Sequence, residues 1–161
     1  KLRASDGKTL GTFAVGLVPD AVAFDGTNLW VANYGSGTVT KLAENGSVLG
    51  TFPVGVNPSG FAFDGTNIWV ANLGTNNVSK LRASDGTTVG TFNVGLAPPG
   101  VAFDGKYIWV ANAQSNNVMK LDGNTGAILW TFTESGSPNF VAFDGANIWV
   151  TNYQNGTVSK L

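Results

Sequence analysis

Four aspartates, Asp25, Asp64, Asp104 and Asp144, recur about 40 residues apart, each preceded by Ala-Phe and followed by Gly. A ring of carboxylates is one way to hold a hard cation such as calcium. Calcium loops, however, alternate their acids as Asp-x-Asp-x-Asp, and no such cluster occurs here. Each Asp-Gly stands instead between two alternating apolar runs. There Gly supplies a positive φ and Asp accepts nearby backbone amides, which is hairpin-turn chemistry. No metal site is expected from this set.

A second repeated set lies at the end of the next apolar run: Asn33, Asn72, Asn112 and Asn152, each closing a Trp-Val-Ala/Thr-Asn segment. Amide carbonyls arranged around one mouth of a channel could hold water, a hard cation or a glycan hydroxyl, or each Asn could cap its own loop. The residues that follow, Tyr34, Leu73, Ala113 and Tyr153, vary among otherwise repeated positions, and with Leu17, Val56 and Leu96 they should share that mouth. Tyr is an adaptable contact residue. Asn33, Asn72, Asn112, Asn152, Tyr34 and Tyr153 are therefore the candidate ligand-binding residues, for a small ligand, a glycan or a protein.

Trp30, Trp69, Trp109 and Trp149 could stack on sugars, but their Ile/Leu and Val neighbours mark them as core between sheets. Trp130 stands where the other repeats carry Gly11, Gly50 and Gly90, and reads as a surface or edge substitution. Asn77-Val78-Ser79 and Asn155-Gly156-Thr157 match glycosylation acceptors, a pattern that Asn-rich loops also produce by chance.

The residues that are missing narrow the chemistry further. The chain has no His and no Cys. This removes the usual general base, proton shuttle, thiolate nucleophile and zinc ligand. Only Asp, Glu44, Glu134, Lys, Tyr and hydroxyl groups remain, so the chain reads as a non-enzyme without cofactor. A net charge of -1, with 12% charged residues, supplies no field for nucleic acid or anionic lipid. Apolar residues come in short bursts cut by Gly, Asn and Asp, too short to span a bilayer as a helix. The absence of Cys leaves the compartment open.

The elements that position these residues follow from the repeat. Lys-Leu recurs at Lys1, Lys41, Lys80, Lys120 and Lys160, giving sequence repeats 1–40, 41–79, 80–119 and 120–159 in a single repeat domain, 1–161. Alternation at period two with turn signals about every ten residues predicts four short antiparallel strands per repeat, an all-β propeller of four blades. The first strand, as in Ala21-Val22-Ala23-Phe24, is innermost because one of its faces is small. The second carries Trp with both faces apolar. The third is more polar. The fourth, as in Val89–Val94, ends in a Gly-x-x-Pro connection. The last blade, 139–161, has three strands, and 1–15 supplies a spare fourth whose pairing with it would close a ring by strand exchange. We read this as an eight-bladed ring from two copies, a homodimer. Closure of one chain on itself is the alternative.

Ile68-Trp69-Val70-Ala71-Asn72, with Gly74-Thr75-Asn76-Asn77-Val78-Ser79-Lys80-Leu81, resembles the bacterial YVTN-type β-propeller repeat, and more loosely the NHL and streptogramin-lyase-like propellers. The resemblance covers all four repeats. It implies a propeller fold and says little of function, because such repeats occur in surface proteins, binding proteins and a few enzymes. The lyase-like branch uses a His base with a carboxylate-held magnesium, and no position here can receive that His. The similarity among units also resembles recently amplified or designed repeats, and so suggests a self-assembling scaffold, with a binding module at one channel mouth as the alternative.

Overall fold

A computed structural model describes all residues from Lys1 to Leu161 as fifteen strands with no helix. The first blade comprises β1 (Pro19–Phe24), β2 (Leu29–Asn33), β3 (Thr38–Leu42) and β4 (Val48–Pro53). The second comprises β5 (Pro58–Phe63), β6 (Asn67–Asn72), β7 (Asn77–Arg82) and β8 (Thr88–Asn93). β9 (Gly100–Phe103), β10 (Tyr107–Asn112), β11 (Asn117–Asp122) and β12 (Ile128–Thr133) form the third. β13 (Pro138–Phe143), β14 (Ile148–Asn152) and β15 (Thr157–Lys160) form a three-stranded fourth. Each sheet is an antiparallel meander in chain order. The expected all-β blades are therefore present, and the inner strands β1, β5 and β13 begin slightly earlier than the apolar alternation indicates, at the Pro of the connecting loop, whereas β9 begins at Gly100.

Register repeats from blade to blade. Trp30 lies opposite Lys41, Trp69 opposite Lys80, and Trp109 opposite Lys120. A register shift recurs just after the Lys, at Lys41/Leu42, Lys80/Leu81 and Lys120/Leu121, because the outer strand carries one extra residue there.

The core lies between sheets. Trp30 and Val39 of blade one pack with Ile68, Val70 and Leu81 of blade two, joined by Ala23, Phe52, Val54, Phe61 and Phe63. The same arrangement recurs one blade on, where Ala62, Trp69 and Val78 meet Val101, Ile108, Val110 and Leu121. Within a blade the Trp lies against the Phe of the outer strand, with ring centroids 5.9 Å apart for Trp30–Phe52, 5.5 Å for Trp69–Phe92 and 5.5 Å for Trp109–Phe132. Two of these also cover the turn Gly of the next blade, Phe52 over Gly86 and Phe92 over Gly126. A Cβ on Gly126 would fall 2.2 Å from the Phe92 ring, so Gly is required by packing as well as by its φ of +73°.

Inner strands pack in series, β1 on β5, β5 on β9 and β9 on β13, without β13 returning to β1. The chain is thus an open arc. The 1–15 segment does not pair with β15 within the chain. It lies at the other end, beside blade one, where Leu2 bridges Thr9 and Phe13 covers Gly46 as Phe52 covers Gly86.

Candidate binding surface

The Asp-Gly turns carry a tighter structure than turn chemistry alone predicts. In blade two one carboxylate oxygen of Asp64 accepts the backbone N–H of Thr66 at 2.9 Å and of Asn67 at 2.6 Å, while the other accepts the Trp69 indole N–H at 2.8 Å. The indole bond recurs as Trp30–Asp25, Trp109–Asp104 and Trp149–Asp144, each at 2.7 Å. An Asp five residues before a Trp therefore satisfies the one polar group of a side chain that the core otherwise buries. This spacing is visible in all four repeats but is easily missed, because the Asp and the Trp each have a sufficient explanation alone.

Burial opposes ionisation of Asp25, Asp64 and Asp104, but the indole and turn N–H bonds outweigh it and hold all three below their ordinary value. At Asp144 the Trp149 indole is the main cause of a large depression, helped by the Asn147 and Ala146 amides. These carboxylates are committed to the turns, and nowhere do three acidic side chains come together.

The Asn set is buried. Asn33, Asn72 and Asn112 are completely covered and Asn152 nearly so. Each amide is directed at the third strand of its own blade: Asn72 Nδ2 donates to Asn77 Oδ1 at 2.8 Å and Ser79 Oγ at 2.9 Å, and Asn33 Nδ2 to Thr38 Oγ1 at 3.1 Å and Thr40 Oγ1 at 2.9 Å. Asn112 donates to Asn117 Oδ1 at 2.8 Å, and Asn152 to Ser159 Oγ at 2.8 Å. On its other side Asn33 Oδ1 accepts Gly16 N–H at 3.0 Å. The Oδ1 atoms of Asn72, Asn112 and Asn152 have no partner. Gly55 and Gly95 lie so close to Asn72 and Asn112 that an added Cβ would come within 2.6 Å of the amide side chain. These Asn residues seat the inter-blade loop on the second strand.

The two loop types do share one side. Tyr34 N–H donates to Val18 O at 2.9 Å and Gly35 N–H to Leu17 O at 3.0 Å, and the pattern repeats at Leu73–Asn57, Ala113–Ala97 and Tyr153–Ser137. The third residue of each inter-blade loop takes a positive φ: Val18 (50°), Asn57 (55°), Ala97 (50°) and Ser137 (60°). That conformation turns the second loop residue outward, and Leu17, Val56 and Leu96 are exposed. Tyr153 is 78% exposed, whereas Tyr34 is half-buried. The rim is therefore a line of apolar side chains with one free Tyr, and the Asn residues lie beneath it.

A contact the sequence did not announce links the blades. Lys41 Nζ lies 5.2 Å from the Trp30 ring centroid and donates to Ala83 O at 2.6 Å and Ser84 O at 3.0 Å in the next blade. Lys80 does the same over Trp69, donating to Gly123 O at 2.8 Å and Asn124 O at 3.3 Å. The repeated Lys-Leu marks the period; it also explains why a Lys can be buried, since its charge is shared between a π face and carbonyls. Glu134, at a position where other repeats have Val15, Val54 and Val94, accepts Ser159 Oγ–H at 2.8 Å.

Blades of this kind, packed face to face about their inner strands, define a β-propeller. No protein-family model matches the chain, and no curated protein matches it by sequence. Among solved structures, the computationally designed Ika4 protein superimposes with a TM-score of 0.84 at 16% identity, over 96% of this chain and 98% of that one. Kuenenia stuttgartiensis hydrazine synthase matches with a TM-score of 0.81 at 24% identity, over 96% of this chain and 49% of that one. A streptogramin B lyase matches with 0.76 at 14% identity, over 88% of this chain and 53% of that one. The chain thus spans about half the length of these two natural proteins. At such identities the likeness establishes the fold.

Proposed function

We propose that this chain is a non-enzymatic propeller scaffold that assembles with a second copy of itself. The observation that carries the reading is the state of the two end blades. Val22 and Phe24 at one end, and Phe140, Trp149 and Val158 at the other, lie at positions that interior blades cover wholly or in part, and here they are exposed, Val22 to 71% and Val158 to 57%. Apolar faces of this kind, built to match a neighbouring blade, favour association. The commitment of the carboxylates to turns and of the lysines to inter-blade links supports a structural role for the polar residues. So does the likeness in length and fold to a designed propeller. Light scattering at micromolar concentration tests assembly: a mass of two chains is expected, and a mass of one chain would overturn it.

A second reading is favoured by the rim. Exposed Leu17, Val56 and Leu96 beside Tyr153 form a surface that could take a glycan or protein, with Tyr34 at its edge. Screening a glycan array with the native chain and with Tyr34→Ala/Tyr153→Ala tests it. Binding lost in the variant at unchanged melting temperature would support the rim as a site, and absence of binding by the native chain leaves the scaffold reading alone.

A further inference from the structure

A cavity of about 570 Å³ at the first blade is lined by Phe13, Val15, Val22, Phe24, Leu29, Val31 and Leu42, with the N-terminal segment as one wall and blade one as the other. Its composition can be compared position by position with an occupied inter-blade core. In the core between blades one and two, Ala23, Trp30, Val39, Phe52 and Val54 belong to the face of blade one, and Phe61, Phe63, Ile68, Val70 and Leu81 to the facing side of blade two. By the repeat, Phe13 and Val15 correspond to Phe52 and Val54, and Val22, Phe24, Leu29, Val31 and Leu42 to the second group. One wall of an inter-blade core is therefore complete, while the other has only its outer-strand residues and lacks the three that its inner strands would supply.

We infer that this cavity is the seat for Ala142, Trp149 and Val158 of a second copy, with β15 of that copy pairing antiparallel to residues 12–14. The proposal rests on the scaffold reading above and specifies its interface. The three residues are the fourth-blade equivalents of Ala23, Trp30 and Val39. Trp149 is 39% exposed, whereas Trp30 and Trp69 are fully covered. In the seat Trp149 lies against Phe13, as Trp30 lies against Phe52. The register follows from Thr38↔Pro53, Val39↔Phe52 and Thr40↔Thr51, which places Thr157 opposite Ala14, Val158 opposite Phe13 and Ser159 opposite Thr12.

Three further contacts fall into place with this docking. Phe132 gains Gly7, whose Cα now has open space beside it, as Phe92 has Gly126. Lys120, which lies 4.9 Å from the Trp109 ring centroid but has no carbonyl partner, gains the carbonyls of Ala4 and Ser5, as Lys41 has those of Ala83 and Ser84. Lys1 Nζ already donates to Glu44 O at 3.0 Å and Leu2 bridges Thr9, so the free arc holds Lys1 and Leu2 in the positions that Lys160 and Leu161 of the second copy take on docking. The 12–14 pairing lies inward of that exchange. A pair of such arcs makes two equivalent junctions.

Cysteine cross-linking tests the seat in 161-residue chains that otherwise contain no cysteine. Thr40 and Thr51 hydroxyls approach to 3.3 Å, so the corresponding Thr12 and Ser159 side chains face one another across the pair at disulfide range. Thr12→Cys and Ser159→Cys chains are mixed at equal concentration and oxidised mildly, with Thr27→Cys plus Ser159→Cys as control. A disulfide-linked dimer from the first mixture and not from the control is expected. Trp149→Ala, expected to weaken association about 30-fold, should suppress the link at low concentration. A cross-link confined to single chains in the Thr12→Cys/Ser159→Cys double variant overturns the proposal in favour of the chain's own fourth blade. A two-chain mass by light scattering without the cross-link overturns this interface while leaving assembly intact, and a one-chain mass overturns the scaffold reading itself.

Discussion

Replacing Asp64 with Asn isolates the carboxylate that joins the turn to the core. The change is nearly isosteric, but an amide has one acceptor oxygen where the carboxylate has two. In the native chain Asp64 serves two backbone amides through Oδ1 and the Trp69 indole through Oδ2. The Asn oxygen can serve only one side, and its NH2 then faces a donor on the other. Trp69 is fully covered, so its N–H has no access to water as a substitute. A lost hydrogen bond to a charged group is worth about 1.5–3 kcal/mol. Partial exposure of the carboxylate places the expected cost of Asp64→Asn at about 2 kcal/mol, or a fall in Tm of roughly 4–8 °C for a chain of this length. Thermal unfolding followed by circular dichroism measures this directly. The double-mutant cycle with Trp69→Phe, which removes the donor, separates the pairwise bond from the rest of the turn, and a coupling near 1–2 kcal/mol is expected. A coupling below about 0.5 kcal/mol would refute the argument that the carboxylate is placed to satisfy the indole.

The same carboxylates set the acid limit. Their folded pKa values lie below the ordinary 3.8, so their contribution is complete above that value and is lost as pH falls through the depressed folded values. With no His in the chain, the urea midpoint should be flat from about pH 5 to 8 and fall below about pH 4, and a decline between pH 5 and 7 would contradict this. Gly126→Ala meets both a positive φ and the Phe92 ring, whereas Gly105→Ala, at φ +96°, meets open space. Chemical denaturation should show the first costing more than the second, by at least about 1 kcal/mol. Val18 adopts φ 50°, which a β-branched residue resists, while the matching position in blade two is Asn57. Val18→Asn should therefore raise the melting temperature, with a stabilisation of about 1 kcal/mol.

The sequence makes the blade legible because its three signals agree: alternation marks strands, Asp-Gly marks the inner hairpin, and Lys-Leu marks the period. Direction was the harder part. Asn33, Asn72, Asn112 and Asn152 end the second strand at the rim, a position that suits either a ligand contact or a cap. Only the close approach of Gly16, Gly55 and Gly95 shows that there is no open space in front of the first three. Residue spacing does not report that approach, which depends on how the inter-blade loop folds back. The burial of Lys41 and Lys80 is equally hidden in the sequence, since a polar residue on a third strand normally points to solvent. Their carbonyl partners belong to a neighbouring blade more than 40 residues away, and no local pattern reports such a contact. Tyr153 is exposed because a loop side chain at the rim has no sheet to cover it.

The Lys-to-carbonyl link runs in one direction only, from blade one to the turn of blade two and from blade two to the turn of blade three. A stack built this way has a head and a tail, so growth is halted only when head meets tail. The rotation between successive blades then decides between a closed object and an endless one. A substitution that widened or narrowed the wedge, for instance at Gly60, where an added Cβ would come 2.6 Å from Pro99 O of the adjoining blade, would change that rotation. In a ring closed by two such arcs, that change would favour a helical filament instead, without a single contact residue at the two ends being altered.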